Sequence, residues 1–368
     1  MAKRKNNKRF KIKPSDWFTF AVAIVVLIVA LFIYYYNDNG GINNGDGSNS
    51  DYQTSQTPIT VSNDVMRIHF IDVGQGDCTF IQFPDGKNML IDGGEDRYAQ
   101  TVANYLSNLG VNTINILLAT HQDADHIGGM DKIFDNFEVK KVFRPYVYYS
   151  GEYKDEFDSA FNVKATADNY KNSTTKTYYN FLKSVLDEGC NYSYFNRSSD
   201  FKQEILFNDQ SYFYEVDFLT PTAKVENIGY SDANDYSPIL TISYGGFTAM
   251  FTGDAGEEVE EELLNYYSEV PNVDLLKAGH HGSSTSSSVD FLQAVSPEYV
   301  LFSCGLNNEY GHPTKQTVDR VTSVAGALVY RTDMQGNIVF TVNCSGLSLP
   351  IATQKQVENY SQLLTPGN

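Results

Sequence analysis

Apolar and polar positions divide the chain into three regimes. From Trp17 to Tyr36 runs a stretch of 20 residues without a formal charge, centred on Phe20–Ile33. At 1.5 Å per helical residue, roughly 20 residues span the ~30 Å hydrocarbon core of a bilayer. Trp17 at one end and Tyr34, Tyr35 and Tyr36 at the other suit the two interfacial aromatic belts. The pattern predicts a transmembrane helix over residues 17–36, preceded by a basic tail, 1–16. Residues 37–63 are Asn, Gly, Asp, Ser, Thr and Gln with almost nothing to bury, and read as a flexible linker.

From Val65 onward, short apolar or alternating runs are separated by turn residues. Strands are expected at 65–72, 78–83, 88–91, 114–119, 138–143, 212–219, 239–243, 247–251, 273–277, 299–302, 327–330 and 337–342. Apolar residues recur with helical spacing at 97–109, 174–186, 257–267, 286–294 and 314–324. Two sheet-rich halves with helices outside are implied, in one domain over 64–345. Residues 145–210, rich in Tyr, Asn and Ser, read as an insertion on that domain. The tail 346–368 reads as loosely attached beyond Pro350. No internal repeat is visible.

Charge adds direction. Seven basic residues lie within residues 1–13, before the apolar run. The positive-inside rule puts that end in the cytoplasm and everything after Tyr36 outside. A cleaved signal peptide would need a small-residue site after the apolar run, where Tyr-Tyr-Tyr-Asn stands instead. The whole chain carries −18, and setting the seven basic residues aside leaves 20 basic against 45 acidic, near −25. That excludes a polyanion binder held by a basic face. With 42% apolar residues, wholesale disorder is excluded too. The four scattered cysteines form neither a disulfide scaffold nor a C-x-x-C metal pair.

The chemistry gathers at strand ends. Thr120-His121-Gln122-Asp123-Ala124-Asp125-His126-Ile127-Gly128-Gly129 follows the strand at 114–119 and packs four metal-ligand candidates into six residues. One ion rarely takes four ligands from one loop, so two are suggested. Thr252-Gly253-Asp254 follows the strand at 247–251, where a carboxylate would bridge two cations. His280 and His281 follow the strand at 273–277, and Gly311-His312-Pro313 a later one. Five of the six histidines thus lie in three motifs; His69 alone sits inside a strand. A solvated acidic loop with surface histidines is the bland alternative to the first motif, and an ordinary turn the alternative to Gly253-Asp254.

His121-x-Asp123-x-Asp125-His126 resembles the His-x-His-x-Asp-His signature of metallo-β-lactamase-fold hydrolases. With Phe70-Ile-Asp-Val-Gly-Gln-Gly-Asp77, Ile91-Asp-Gly-Gly94, Phe251-Thr-Gly-Asp254, His280-His-Gly-Ser283 and Tyr310-Gly-His-Pro313, the motif set, spread over residues 65–343, is similar to the ComEC/Rec2-type subfamily. That subfamily includes the soluble hydrolase domain of a DNA-uptake channel. A single apolar segment cannot build such a channel alone.

The resemblance implies an α+β, αββα four-layer sandwich with two mixed sheets and two divalent ions, Zn²⁺ or Mn²⁺, at one edge. Carried over, His121, Asp123, Asp125, His126 and His280 or His281 become metal ligands and Asp254 the bridge. His312 becomes a ligand or a transition-state donor, and Asp125, His281 and His312 the catalytic group. The family often has a histidine before its Gly-Asp strand; here Asn234-Asp235-Tyr236-Ser237 stands instead, leaving Asn234 or Asp235 as a weaker ligand. Asp92 is expected to support the site, and Asp72 and Asp77 to line the cleft.

A hydroxide shared by two cations would attack phosphorus in line, with His312 or His281 at the leaving oxygen. Ser283–Ser288, ahead of a helix, would offer N–H and hydroxyl donors to phosphate, or merely cap that helix. Asp123 in place of a histidine hardens the site, which keeps Mn²⁺ a rival to Zn²⁺.

The expected function is an extracytoplasmic phosphodiesterase or nuclease. It would be anchored by its N-terminal helix, with a phosphodiester or nucleic-acid substrate and no obligate protein partner evident. Hydrolysis of another ester (phosphorylcholine ester, lactam, thioester) and a non-enzymatic surface module are the alternatives. The Tyr-rich segment would stack bases or cradle a choline head group, or be an ordinary subdomain.

Overall fold

The computed structural model describes residues 59–161 and 172–367. The basic tail, the predicted membrane helix and nearly all of the linker lie outside them, and among the described residues no helix is long and apolar enough to cross a membrane.

Period-2 alternation in the strands decides the architecture. Met66, Ile68 and Phe70 of the first long strand point into a cluster shared with Tyr214, Val216, Phe218, Leu240 and Ile242 of a second sheet. The residues between them face the other way. His69 sits there, held by the Tyr105 hydroxyl (2.9 Å) and Gln82 Oε1 (3.1 Å), a satisfied core histidine.

Two eight-stranded sheets result. The first runs, in space, Asn191–Tyr194, Lys141–Arg144, Ile116–Leu118, Asn88–Ile91, Thr79–Gln82, Met66–Phe70, Ile338–Asn343, Gly346–Thr353. The second runs Ile59–Thr60, Phe201–Phe207, Gln210–Phe218, Leu240–Tyr244, Phe247–Phe251, Leu275–Lys277, Tyr299–Phe302, Leu328–Arg331. Both mix parallel and antiparallel pairs.

Three apolar layers separate four structural ones. One lies between the sheets. A second lies under the helices Ala99–Asn108, Met130–Asn136 and Lys176–Glu188. The third lies under Glu257–Tyr266, Val289–Val295 and Lys315–Arg320. This is the αββα order expected from the motifs. The helix expected at 314–324 changes hand-hold after Arg320 and finishes as a π turn, Val321–Ala325.

Two expectations are corrected. Residues 145–210 are not an insertion laid on a finished domain. Tyr178, Phe181, Leu182 and Val185 of the helix Lys176–Glu188 belong to the first outer layer. Asn191–Tyr194 forms the edge of the first sheet, and Phe201–Phe207 an inner strand of the second. The tyrosines enclose a buried arginine: Arg144 bonds the hydroxyls of Tyr178 and Tyr194 and lies over the ring of Phe161 at 4.7 Å. The rings of Tyr178 and Tyr194 are thus engaged by an internal cation. The tail after Pro350 is not loose either. Gly346–Thr353 pairs with Ile338–Asn343, the Tyr360 hydroxyl accepts from Val329 N–H at 2.8 Å, and Leu363 is buried.

The parallel strands of both sheets end at the same edge. Ile91, Leu118 and Arg144 on one side, and Phe251, Lys277 and Phe302 on the other, end there, and the turn from Phe70 to Asp77, between the antiparallel strands Met66–Phe70 and Thr79–Gln82, carries one further motif.

Candidate metal centre

Asp92 follows its strand in the left-handed region (φ 58°), a conformation that costs a non-glycine residue about 1–3 kcal/mol. The turn aims a wholly buried carboxylate at the next loop. Thr120 N–H donates to Asp92 Oδ1 (2.9 Å) and the Thr120 hydroxyl to Oδ2 (2.7 Å). His126 Nδ1 stands 2.7 Å from the same Oδ2, an acceptor, so Nδ1 carries the proton. His126 Nε2 then turns a lone pair to the centre, 3.1 Å from Asp254 Oδ1.

His121 Nδ1 lies 3.2 Å from both the Thr120 and the Ser237 hydroxyls, and its Nε2 is buried without a hydrogen-bond partner. The same proton accounting fixes one more ring. His281 Nδ1 faces the Ser303 carbonyl at 2.9 Å, which can only accept, so His281 Nε2 is also unprotonated. It stands 3.2 Å from Asp125 Oδ2, 3.2 Å from Asp254 Oδ2 and 3.3 Å from His126 Nε2. Two imidazoles, His126 and His281, converge with the carboxylates of Asp125 and Asp254, and a divalent cation satisfies that donor set, so the residues fit divalent metal.

Charge points the same way. Asp77, His126, Asp254 and His281 offer ligand atoms all within 4.8 Å of one another. Burial pushes the His126 and His281 imidazoles down, but Asp254 with Asp92, and Asp254 with Asp77, outweigh it and raise both well above the ordinary histidine value. Without metal these rings would hold protons to satisfy the carboxylates. His121 behaves oppositely: burial and the neighbouring His126 push it down to about 3.

Asp77 was expected only on the cleft wall, yet it joins that buried cluster. Its Oδ1 lies 3.3 Å from His281 Nδ1, the opposite pole from Asp254, and its Oδ2 contacts the Lys277 ammonium. Lys277 also donates to Gly253 O (2.8 Å) and stands 3.8 Å from Asp254 Oδ1. The legible signal was an acid placed directly after a glycine turn that must approach the ligand loop. Gly76 (φ 135°) makes that approach; a Cβ there would meet Asp125 O at 2.2 Å.

The remaining expected residues surround this group. Asp123 caps the turn Ala124–Ile127, is half exposed, and holds Oδ2 3.8 Å from His121 Nε2. His280 and His281 both sit in the left-handed region, which sends adjacent rings in different directions. His281 reaches Asp125 and Asp254. His280, expected among the ligands, stops 3.9 Å from Asp254 Oδ2 with 27% of its side chain exposed. His312 is buried, its ring 5.4 Å from that of His280 and 6.4 Å from that of His281, and its Nδ1 has no partner. Burial and the neighbouring His280 push it down to about 4.

Three expected helpers are engaged elsewhere. Asp235 Oδ1 accepts from Gly256 N–H (2.8 Å), and Asn234 N–H donates to Asp232. The stretch contributes Ser237 instead, whose hydroxyl accepts from Asp254 N–H (3.0 Å) and lies 3.2 Å from His121 Nδ1. It braces two candidate ligands without being one. Four N–H groups of the serine loop are engaged within the protein: Ser283 N–H donates to His280 O (2.8 Å), Thr285 N–H to the Ser283 hydroxyl (3.3 Å), and Ser287 and Ser288 N–H to the buried Glu260 at 2.5 and 2.9 Å, while the Ser288 side chain caps the following helix. Asp72 Oδ1 accepts from Gly74 N–H (3.2 Å) and closes the glycine turn.

Asp92→Asn tests the tautomer argument. Thr120 N–H, the Thr120 hydroxyl and His126 Nδ1–H all need acceptors, and an amide nitrogen is a donor. His126 would move its proton to Nε2, the atom the centre needs. Metal affinity is expected to fall about 10–100-fold, the usual cost of losing such a supporting carboxylate, with the fold retained. Calorimetric titration of Mn²⁺ or Zn²⁺ against folding-matched proteins checks it; unchanged affinity would contradict the assignment.

Comparison with known proteins agrees with this geometry. Residues 71–196 match the description of the metallo-beta-lactamase superfamily. The chain is 27% identical over 294 residues to ComE operon protein 3 of Bacillus subtilis (strain 168), covering 74% of this chain and 32% of that one. It is 28% identical over 294 residues to competence protein ComA of Neisseria gonorrhoeae, covering 80% and 35%. The chain thus spans about a third of the length of these curated relatives. Among solved structures, a variant of CmlA β-hydroxylase aligns with a TM-score of 0.41 at 13% identity, covering 74% of this chain and 53% of that one.

Proposed function

We propose, for a chain that belongs to the metallo-β-lactamase-fold proteins of the ComEC/Rec2 type, that it is a metal-dependent phosphodiesterase working on the outer side of the membrane. The convergence of His126 and His281 Nε2 on Asp254, with Asp125 beside His281 and Asp77 in the same cluster, carries this reading. Divalent ions held there supply Lewis-acid polarisation of a phosphoryl oxygen and acidify water.

The chain's own groups do the rest. Asp92 and the Ser303 carbonyl hold His126 and His281 in the tautomer that presents Nε2. Asp254 lies between these two rings, one oxygen toward His126 and one toward His281, and would hold ions on either side. His312, with a buried unpartnered Nδ1, offers that atom to an oxygen of the substrate, the leaving oxygen in particular. The relatives' names, a competence protein and a ComE operon protein, support processing of DNA at the cell surface as its setting. The basic tail before the apolar run supports one anchor with the catalytic part outside.

The chain purified whole and reloaded with Mn²⁺ or Zn²⁺ is expected to hold about two metals by elemental analysis and to hydrolyse bis-p-nitrophenyl phosphate and single-stranded DNA. Turnover of a lactam or a phosphorylcholine ester without any phosphodiester would replace this reading with the second ester class. Topology is checked separately: protease added to intact cells should remove the domain, and full protection would exclude an outside location.

A further inference from the structure

The loop Cys304–His312 carries two large apolar side chains into solvent. Leu306 is 65% exposed and Tyr310 62%. Loops that expose such groups normally move, and this one is knotted. Asn308 is buried and donates from Nδ2 to Gly305 O (2.8 Å) and His312 O (2.5 Å), while its Oδ1 accepts from His312 N–H (2.9 Å). Gly305 N–H donates to Gln75 Oε1 (3.1 Å) of the glycine turn, and Gly367 N–H to Pro313 O (2.8 Å). Asn307 takes a left-handed turn (φ 54°). A rigid loop thus presents a tyrosine whose ring stacks on His312, centroids 5.7 Å apart and planes 28° apart. That places an exposed aromatic face beside the only histidine of the centre with an unpartnered Nδ1.

What such a face binds is narrowed by charge. The chain carries −18, and Glu95, Asp123, Asp125 and Glu309 lie around the loop and the centre. Polyanion binding normally draws its affinity from lysine and arginine against phosphates, which an acidic mouth cannot supply. Base stacking is the alternative source: it gives about 1–3 kcal/mol per base and tolerates any sequence. A preordered ring loses little freedom on binding.

We propose that Tyr310, with Leu306 on the same knotted loop, is a stacking lip that takes a nucleobase flanking the scissile phosphodiester. The inference rests on the phosphodiesterase reading for its substrate, and on the loop alone for its geometry.

Fluorescence anisotropy tests it with the full, metal-stripped chain, which cannot turn over, and two labelled single strands of equal length, one of thymidylates and one abasic. The wild type is expected to bind the thymidylate strand about 5–100-fold more tightly. Tyr310→Ala should remove most of that ratio, Tyr310→Phe should keep it, and Leu306→Ala should reduce it. In metal-loaded protein the same substitution should raise KM for the thymidylate strand far more than it lowers kcat. Equal affinity for the two strands in the wild type, or a thymidylate preference unchanged in Tyr310→Ala, would overturn the lip. The two readings separate: a chain that prefers thymidylate through Tyr310 yet hydrolyses no phosphodiester keeps the lip and loses the phosphodiesterase. One that hydrolyses both strands with equal KM does the reverse.

Discussion

Asp254→Asn is expected to abolish phosphodiester turnover, by about a thousandfold or more, and to strip at least one metal from the chain. Asp254 is the carboxylate on which the two motif-bearing sheets converge. Its Oδ1 faces His126 Nε2 at 3.1 Å from the first sheet's loop, and its Oδ2 faces His281 Nε2 at 3.2 Å from the second. The asparagine keeps the shape and loses the charge. Its amide nitrogen also places a donor where one imidazole needs to keep its lone pair free.

Cations about 3.5–4 Å apart repel, and a shared carboxylate is what makes their proximity tolerable. The core strands do not depend on this side chain: its backbone N–H donates to Ser237 and would still do so. Metal content by elemental analysis and hydrolysis of bis-p-nitrophenyl phosphate, at matched circular dichroism, decide it. Two metals with near wild-type turnover would reduce Asp254 to a turn residue.

Lys277→Met is expected to cost about 3–5 kcal/mol of stability at pH 7, the penalty for stranding one partner of a buried ion pair. Lys277 and Asp77 are both buried, and no other Lys or Arg pairs with Asp77 among the described residues. Burial alone would raise the Asp77 carboxyl. Lys277, followed by His281, overcomes it and holds the group down to about 2.

The sign of the pH dependence follows. In the wild type, Asp77 is depressed, so its contribution is full above the unfolded value near ~3.9 and is lost only as pH falls toward 2. In Lys277→Met the main depressing charge is gone and burial dominates. The penalty is then largest at neutral pH and shrinks as acid protonates Asp77. Denaturant unfolding should therefore show a gap from wild type that narrows from pH 7 to pH 4. Lys277→Met with Asp77→Asn should recover much of the loss, since neither charge is then left alone. A single variant as stable as wild type at pH 7 would show that the pair is not coupled.

How much of this was legible in advance can be traced residue by residue. Strand alternation announced itself in Met66–Phe70 because Met66, Ile68 and Phe70 face the layer between the sheets while Arg67 is exposed and His69 finds polar partners on the other face. The ligand motif was legible because His121, Asp123, Asp125 and His126 share one loop, where spacing alone brings side chains together. Residues 145–210 misled for the same kind of reason: tyrosines turned toward a buried Arg144 carry the composition of a surface, and nothing local distinguishes them from exposed ones.

The sequence by itself set most of the elements through local period and turn chemistry, and it offered His121, Asp123, Asp125, His126, Asp254, His280, His281 and His312 as candidates at strand ends, while the layer order and their metal roles came with the family resemblance. Only the tertiary structure decided the rest. It chose His281 over His280 for the approach to Asp125 and Asp254, through two left-handed residues that split the directions of neighbouring rings. It recruited Asp77 and Lys277 to the centre from opposite sheets. It also gave two N–H groups of the serine loop, those of Ser287 and Ser288, to Glu260. Each of these is a contact between groups far apart in the chain, fixed by which proton or charge a buried neighbour leaves unsatisfied, and that is set by packing rather than by sequence spacing.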